Sequence, residues 1–346
     1  MIKAIVIDDS AYNRVTLAKM LESSGEVQVV ATAINGEDGI KQVLRYRPDV
    51  ITLDLEMPVM DGFAFLRWLM ANLPRPVIAV SSRASDRSVF KALELGAVDF
   101  IAKPGGRVSP RLEEIGEELL SKVRQCAEIR LENVQKRIHE EEPPRARSDR
   151  MVSGRAKNID LVVIGASTGG PPALQSLFQQ TPLIPVPFVV AQHMPQTFTR
   201  VFAERMNRLA SYRVKEAEDG EPLVTGWVYI APGGSQTEIV RSGEDLRIRV
   251  SEKSVSDLYA PSVNRLFSSA VESCADRVLA IVLTGMGDDG ADSIRRIREA
   301  GGRTIAEAAS TAIIFGMPGE AIRTGAVEEV LPVGEIPGAI HRICMG

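Results

Sequence analysis

The chain has 346 residues, a length that suits two domains, and is 45% hydrophobic and 25% charged, the balance of a soluble globular protein. Its formal charge of −4 offers no basic surface for a nucleic-acid partner, and no apolar run approaches the roughly 18 residues needed to insert across a bilayer. Three cysteines, Cys126, Cys274 and Cys344, odd in number and widely spaced with no CxxC, argue against a disulfide framework or a zinc site and for reduced thiols in the cytoplasm.

The first residues, MIKAIVIDDS, read as a strand rather than a signal peptide. Up to about residue 108, five short apolar runs alternate with helical patterns: AIVIDD (4–9), VQVVATA (27–33), VITLDLE (50–56), PVIAVSS (76–82) and DFIAKP (99–104). Nearly continuous apolar strands separated by helices predict a parallel sheet covered on both faces. The segment RLEEIGEELLSKVRQCAEIRLENVQKRIHEEEPP predicts one long charged helix, with Leu112, Ile115, Leu119, Val123 and Cys126 on one stripe. Residues 141–157 read as an exposed tether. A second α/β region begins near Ile159, with strands at LVVIGAS (161–167), PFVVAQH (187–193), GWVYIAP (226–232), DLRIRVS (245–251), RVLAIVLTG (277–285) and GRTIAE (302–307). The expected architecture is two doubly wound parallel-sheet α/β domains, a (βα)5 domain over 1–110 and a Rossmann-like domain over 158–346, joined by a helix and charged linker over 111–157.

In an open parallel sheet the carboxyl ends of the strands line one rim. On the first rim this collects Asp8 and Asp9, Asp54, Ser81 and Lys103. Crowded carboxylates suit a hard cation such as Mg²⁺, and a neighbouring ammonium can pair first with a carboxylate and then with a phosphoryl oxygen. Helix capping or a turn would explain one such residue; polar groups at the ends of four separate apolar strands call for a site. Together with IDDS, DLEMPVMDG, VSS and AKP, they resemble the receiver domain of two-component response regulators. The resemblance implies that Asp54 accepts a phosphoryl group. It also implies that Asp9, Asp54 and the Glu56 carbonyl hold Mg²⁺ with support from Asp8, that Ser81 and Lys103 read the phosphoryl group, and that Phe100 is the aromatic switch residue.

On the second rim, Gly165-Ala166-Ser167-Thr168-Gly169 has the G-x-S-x-G form of a nucleophile on a tight strand-to-helix turn. The motif alone is weak, since glycines also serve plain βα turns and phosphate loops. A base must come from three histidines. His139 lies in the charged helix and His341 near the end of the chain, whereas His193 follows an apolar strand onto the same rim as Ser167. An acid to orient it should come from LTGMGDDGA (283–291), where spacing does not choose between Asp288 and Asp289.

The order Ser, His, Asp differs from the Ser, Asp, His of α/β-hydrolases. With IGASTGG, AQHMP, IAPGG, APSVNRLF, LTGMGDDGA and IIFGMPGEAI, it resembles the catalytic domain of the chemotaxis protein-glutamate methylesterases. That resemblance implies Asp289 as the triad acid, the Met286 amide in the oxyanion hole and Thr168 in substrate binding, with no cofactor in the hydrolase site. It further implies a cytoplasmic, monomeric enzyme that demethylates and deamidates chemoreceptors and is activated by phosphorylation from a chemotaxis histidine kinase. The sequence departs from the family at Gln236, where a histidine is common, at Asn264, where an aspartate is common, and at Glu307, where a glutamine is frequent. The rival readings are a phosphorylation-switched binding module without hydrolysis and a serine hydrolase acting on a different ester.

Overall fold

The computed structural model describes residues 1–81, 87–104, 112–126, 129–139 and 158–346. The tether expected over 141–157, the boundary near 110 and Ser82 of the VSS motif lie outside the described residues. The chain divides into two compact units, Met1–Glu141 and Glu142–Gly346.

The first unit is built on five parallel strands: β1 (Ile2–Ile7), β2 (Val27–Ala33), β3 (Val50–Leu53), β4 (Val77–Ser81) and β5 (Asp99–Ala102). They lie in the order β2-β1-β3-β4-β5. Between them run α1 (Ala11–Glu22), α2 (Gly36–Tyr46), α3 (Gly62–Asn72) and α4 (Arg87–Glu94). β3 and β4 are buried at every position, as strands covered on both faces must be. Sheet order reverses between β1 and β3, and this switch point opens the crevice where a ligand binds.

The expected long helix is broken. A 3₁₀ turn (Leu112–Ile115) leads into α5 (Gly116–Cys126), and α6 (Leu131–His139) follows. The Cys126 carbonyl, at the end of α5, accepts the Ile129 amide at 3.4 Å. The apolar stripe is nonetheless buried: Leu112, Leu119 and Val123 are wholly inaccessible, packed with α1 and β5. Tertiary packing, more than helical propensity, holds so charged a helix.

The second unit carries a seven-stranded parallel sheet in the order β14-β13-β12-β6-β7-β9-β8. Its strands are β6 (Leu161–Ala166), β7 (Phe188–Gln192), β8 (Arg213–Glu216), β9 (Trp227–Ile230), β12 (Val278–Val282), β13 (Arg303–Glu307) and β14 (Glu329–Leu331). The helices are α7 (Gly170–Gln180), α8 (Gln196–Leu209), α9 (Val263–Cys274), α10 (Ala291–Glu299), α11 (Gly316–Arg323) and α12 (Ile336–Met345). An antiparallel hairpin, β10 (Ser235–Ser242) and β11 (Asp245–Glu252), stands apart from this sheet and packs on α9. Its inward residues Ile239 and Ile248 join the core around Leu266. The chain enters the sheet centrally at β6, runs outward through β7, and later returns to β6's other side as β12. The switch point therefore lies at the carboxyl end of β6.

Candidate active site

Ser167 follows the last residue of β6. Three backbone bonds fix its place: its amide donates to the Thr284 carbonyl at 3.0 Å, and its carbonyl accepts the Gly170 amide at 2.8 Å and Gln192 Nε2 at 2.9 Å. Gly169, next but one, has φ of +76°, a left-handed turn that glycine makes without strain as it caps α7. Ala166 pairs with Gln192 across β6 and β7, so Ser167 and His193 are the next residues on adjacent parallel strands, and the His193 amide donates to the Ala166 carbonyl at 2.9 Å. Ser167 is half-buried, and among the described residues its hydroxyl makes no hydrogen bond.

His193 Nε2 lies 2.9 Å from Asp289 Oδ2. Asp289 is 2% exposed and fully engaged. Its Oδ2 also accepts the Val263 amide at 2.7 Å, and its Oδ1 accepts the Asn264 amide at 2.8 Å and the Ser262 hydroxyl at 3.1 Å. These groups form the N-terminus of α9, where backbone dipoles favour an anion. Burial alone would raise the Asp289 carboxyl, but His193 and the amides of Asn264 and Val263 outweigh it and hold the group below the ordinary carboxylate value. Asp288, by contrast, points to solvent and uses its carbonyl to accept the Ala291 amide. Geometry thus separates two neighbours that spacing left equivalent.

The loop after β12 runs beneath the serine. Gly285 donates its amide to the Ile314 carbonyl and accepts the Met317 amide. A Cβ on Gly285 would stand 2.8 Å from Ser167 Cβ, so the close approach requires glycine. The next amide, that of Met286, finds no acceptor among the described residues and belongs to a half-buried residue. An unused N–H beside a nucleophile is a donor available to an oxyanion. Thr168 is buried, its carbonyl accepting Thr284 Oγ1 at 3.0 Å.

The three departures from the family pattern all lie close to this site. Glu307 is wholly buried and accepts the Thr284 amide at 2.8 Å and the Thr311 hydroxyl at 2.9 Å. Asn264 Oδ1 accepts the amide and hydroxyl of Ser293 at the start of α10. Gln236, also wholly buried, bridges the Tyr259 carbonyl and the Ser262 amide. Tyr259 had no motif to mark it; its ring stacks on His193 with centroids 4.5 Å apart and planes 5° apart.

The rim of the first unit gathers Asp8, Asp9 and Asp54, whose carboxylate oxygens lie within 4.8 Å of one another. Lys103 Nζ sits 2.6 Å from Asp8 and 2.5 Å from Asp54, with all three side chains shielded from water. Asn13 Nδ2 donates to both oxygens of Asp8, at 3.1 and 3.2 Å, and the Glu56 amide donates to Asp54 Oδ1 at 3.1 Å. Burial pushes the Asp54 carboxyl up, against the pull of Lys103. A divalent cation would supply the charge that keeps so buried a carboxyl ionised, so the donor set fits a hard metal ion. Ser81 is buried at the end of β4, where its carbonyl accepts the Lys103 amide at 2.8 Å. Phe100 is buried on β5 beneath the Lys122 ammonium, 5.7 Å from the ring centre. Among the described residues, no helix is long and apolar enough to cross a membrane.

Comparison with known proteins adds to this geometry. The family model for CheB methylesterase matches residues 162–340, and that for the response regulator receiver domain matches residues 4–109. The chain is 44% identical to protein-glutamate methylesterase/protein-glutamine glutaminase 3 of Geobacter sulfurreducens, covering 99% of this chain and 97% of that protein. It is 46% identical to protein-glutamate methylesterase/protein-glutamine glutaminase 1 of Myxococcus xanthus, covering 98% and 96%. Among solved structures, the CheB methylesterase catalytic domain of Thermotoga maritima is 36% identical with a TM-score of 0.52, covering 54% of this chain and 100% of that one.

Proposed function

Since the chain belongs to the CheB methylesterase family, as a receiver-regulated protein-glutamate methylesterase/protein-glutamine glutaminase, we propose that Ser167, His193 and Asp289 are its catalytic triad. The observation that carries this reading is the bond from His193 Nε2 to an Asp289 already charged and fixed at a helix N-terminus. An ionised carboxylate only accepts, so Nε2 bears the imidazole proton and Nδ1 is the basic nitrogen.

Nδ1 takes the hydroxyl proton as Ser167 Oγ attacks the carbonyl carbon of a γ-glutamyl methyl ester. The carbonyl oxygen becomes an oxyanion facing the Met286 amide, a contact worth about 3–4 kcal/mol per donor in serine hydrolases. Collapse returns the proton from His193 to the methoxide, and methanol leaves. Water then gives a proton to Nδ1 and attacks the acyl-enzyme; the second collapse breaks the Ser167 Oγ–acyl bond, returns that proton to Ser167 Oγ and releases the glutamate. With glutamine as substrate the leaving group is ammonia. Asp289 holds the imidazole tautomer and balances its positive charge, and Thr168 lines the substrate site.

In the receiver, Asp54 accepts the phosphoryl group from a chemotaxis histidine kinase. Asp9, Asp54 and the Glu56 carbonyl would hold Mg²⁺, which neutralises phosphoryl oxygens when bound, and Asp8 supports the site. Lys103 releases its carboxylate partners to pair with the phosphoryl group, Ser81 meets another oxygen, and Phe100 carries the change to the surface. The substrate is the cytoplasmic region of methyl-accepting chemoreceptors, which places the enzyme in the cytoplasm.

The test is methanol release from methylated receptor cytoplasmic domains, with and without Mg²⁺ and a small-molecule phosphodonor. Release should rise with phosphodonor in the wild type, lose that rise in Asp54→Asn and vanish in Ser167→Ala. Full activity in Ser167→Ala would remove the serine from the mechanism.

A further inference from the structure

The His193 imidazole makes one hydrogen bond among the described residues, through Nε2. A single bond at one ring nitrogen fixes a point. It leaves the ring free to turn about that point and swing Nδ1 away from Ser167. Tyr259 supplies the missing constraint, because two rings stacked 5° from parallel at 4.5 Å fix a plane.

Tyr259 is itself held. Gln236 Nε2 donates to the Tyr259 carbonyl at 2.7 Å, and Gln236 Oε1 accepts the Ser262 amide at 2.9 Å. Ser262 donates its hydroxyl to Asp289, which returns to His193. The contacts close a circuit through His193, Asp289, Ser262, Gln236 and Tyr259. Burial, then Asp288 and Asp289, push the phenol up, so the ring stays neutral and does not compete for the serine proton. Its hydroxyl faces Gly287, where an added Cβ would lie 2.8 Å away.

We infer that Tyr259 is a positioning residue for the general base, set in place by Gln236. The inference rests on the assignment of Ser167 and His193 above. The ring acts twice: it aims Nδ1 at the serine, and its π face lies against the imidazole as that group becomes positive. Gln236 is then no idle replacement of the family's histidine; it serves the loop that carries the stacking ring.

The experiment uses the full chain with Mg²⁺ and phosphodonor present throughout, and a fluorophosphonate that labels active serines. Tyr259→Leu should slow labelling of Ser167 about tenfold, the cost of a lost aromatic face and a loosened base. It should lower kcat for methanol release in parallel, with KM changed less than about twofold. Tyr259→Phe should restore both rates to within about threefold, since it keeps the ring. The carbon-bound protons of His193 should lose their ring-current shift in Tyr259→Leu and keep it in Tyr259→Phe. If Tyr259→Leu unfolds at a lower temperature than the wild type, Tyr259→Met provides the second non-aromatic side chain. Labelling at the wild-type rate with the ring-current shift gone would overturn the inference. So would Tyr259→Phe as slow as Tyr259→Leu, which would give the role to the hydroxyl. Failure of the wild type to label at Ser167 would instead overturn the triad assignment, and this inference with it.

Discussion

Asp289 receives the backbone amides of Val263 and Asn264, at 2.7 and 2.8 Å, at the first turn of α9. The proposed triad acid is thus anchored by a helix N-terminus rather than by a second side-chain ion pair. Asp289→Asn keeps the size of the group but offers an amide where two amides and an imidazole N–H all donate. It should lower methanol release about 10⁴-fold, the loss seen when a triad carboxylate becomes an amide. Asp288→Asn, an exposed change, should stay within about twofold of the wild type. Initial rates on methylated receptor domains check both.

The same anchoring links Asp289 to stability. Its folded-state carboxyl lies below the ordinary value of 3.8, so the ionised form favours folding. That contribution is fully present above the unfolded value and is lost as pH falls through the folded one. The difference in unfolding free energy between wild type and Asp289→Asn should therefore shrink as pH falls below about pH 4. Urea unfolding at a series of pH values reads it. A difference that keeps growing as pH falls below about pH 4 would mean that Asp289 is not the stabilised anion.

Gly285 packs its Cα against Ser167. A methyl group there would lie 2.8 Å from Ser167 Cβ and 3.0 Å from its amide nitrogen, and Met317 crowds it from the other side. Gly285→Ala should push the serine off its line with His193 and cut kcat about 10²-fold, the scale of a misplacement near 1 Å. KM should move far less. Equal losses in kcat and in folded population would assign the effect to stability, and thermal unfolding beside the kinetics separates the two.

Both rims were legible in the sequence because parallel-sheet topology does the assembling. Asp8, Asp54 and Lys103 lie far apart in the chain, yet each ends an apolar strand, and strands that run parallel end on one side. Ser167 and His193 follow from the same rule. The elements that sequence reading missed lack a strand's apolar signal. RVKE (213–216) and EVL (329–331) are short edge strands, and edges are kept short and charged to avoid mispairing. SQTEIVRS (235–242) buries Gln236, Thr237 and Ile239 where it packs on α9, with no regular alternation. Tyr259 was hidden for another reason: stacking has no spacing rule, and its loop follows the hairpin rather than a sheet strand. Spacing left Asp288 and Asp289 equivalent and the family resemblance chose Asp289; the contact that sets it apart physically is with α9, begun some 25 residues earlier.

Lys103 closes the acidic rim. Its ammonium lies between Asp8 and Asp54, 2.6 and 2.5 Å away, with no water-exposed path to share the charge. Lys103→Met would leave two carboxylates facing each other in a buried site, one of them already raised by burial. Removing one partner of a buried ion pair costs about 3–5 kcal/mol, so the first unit should unfold at a lower temperature. A cation at Asp8, Asp9 and Asp54 would replace the lost positive charge and bind only the folded form. Millimolar Mg²⁺ should therefore raise the unfolding midpoint of Lys103→Met more than that of the wild type, while phosphodonor no longer stimulates methanol release from the variant. Equal shifts in the two proteins would place the cation elsewhere than among these carboxylates.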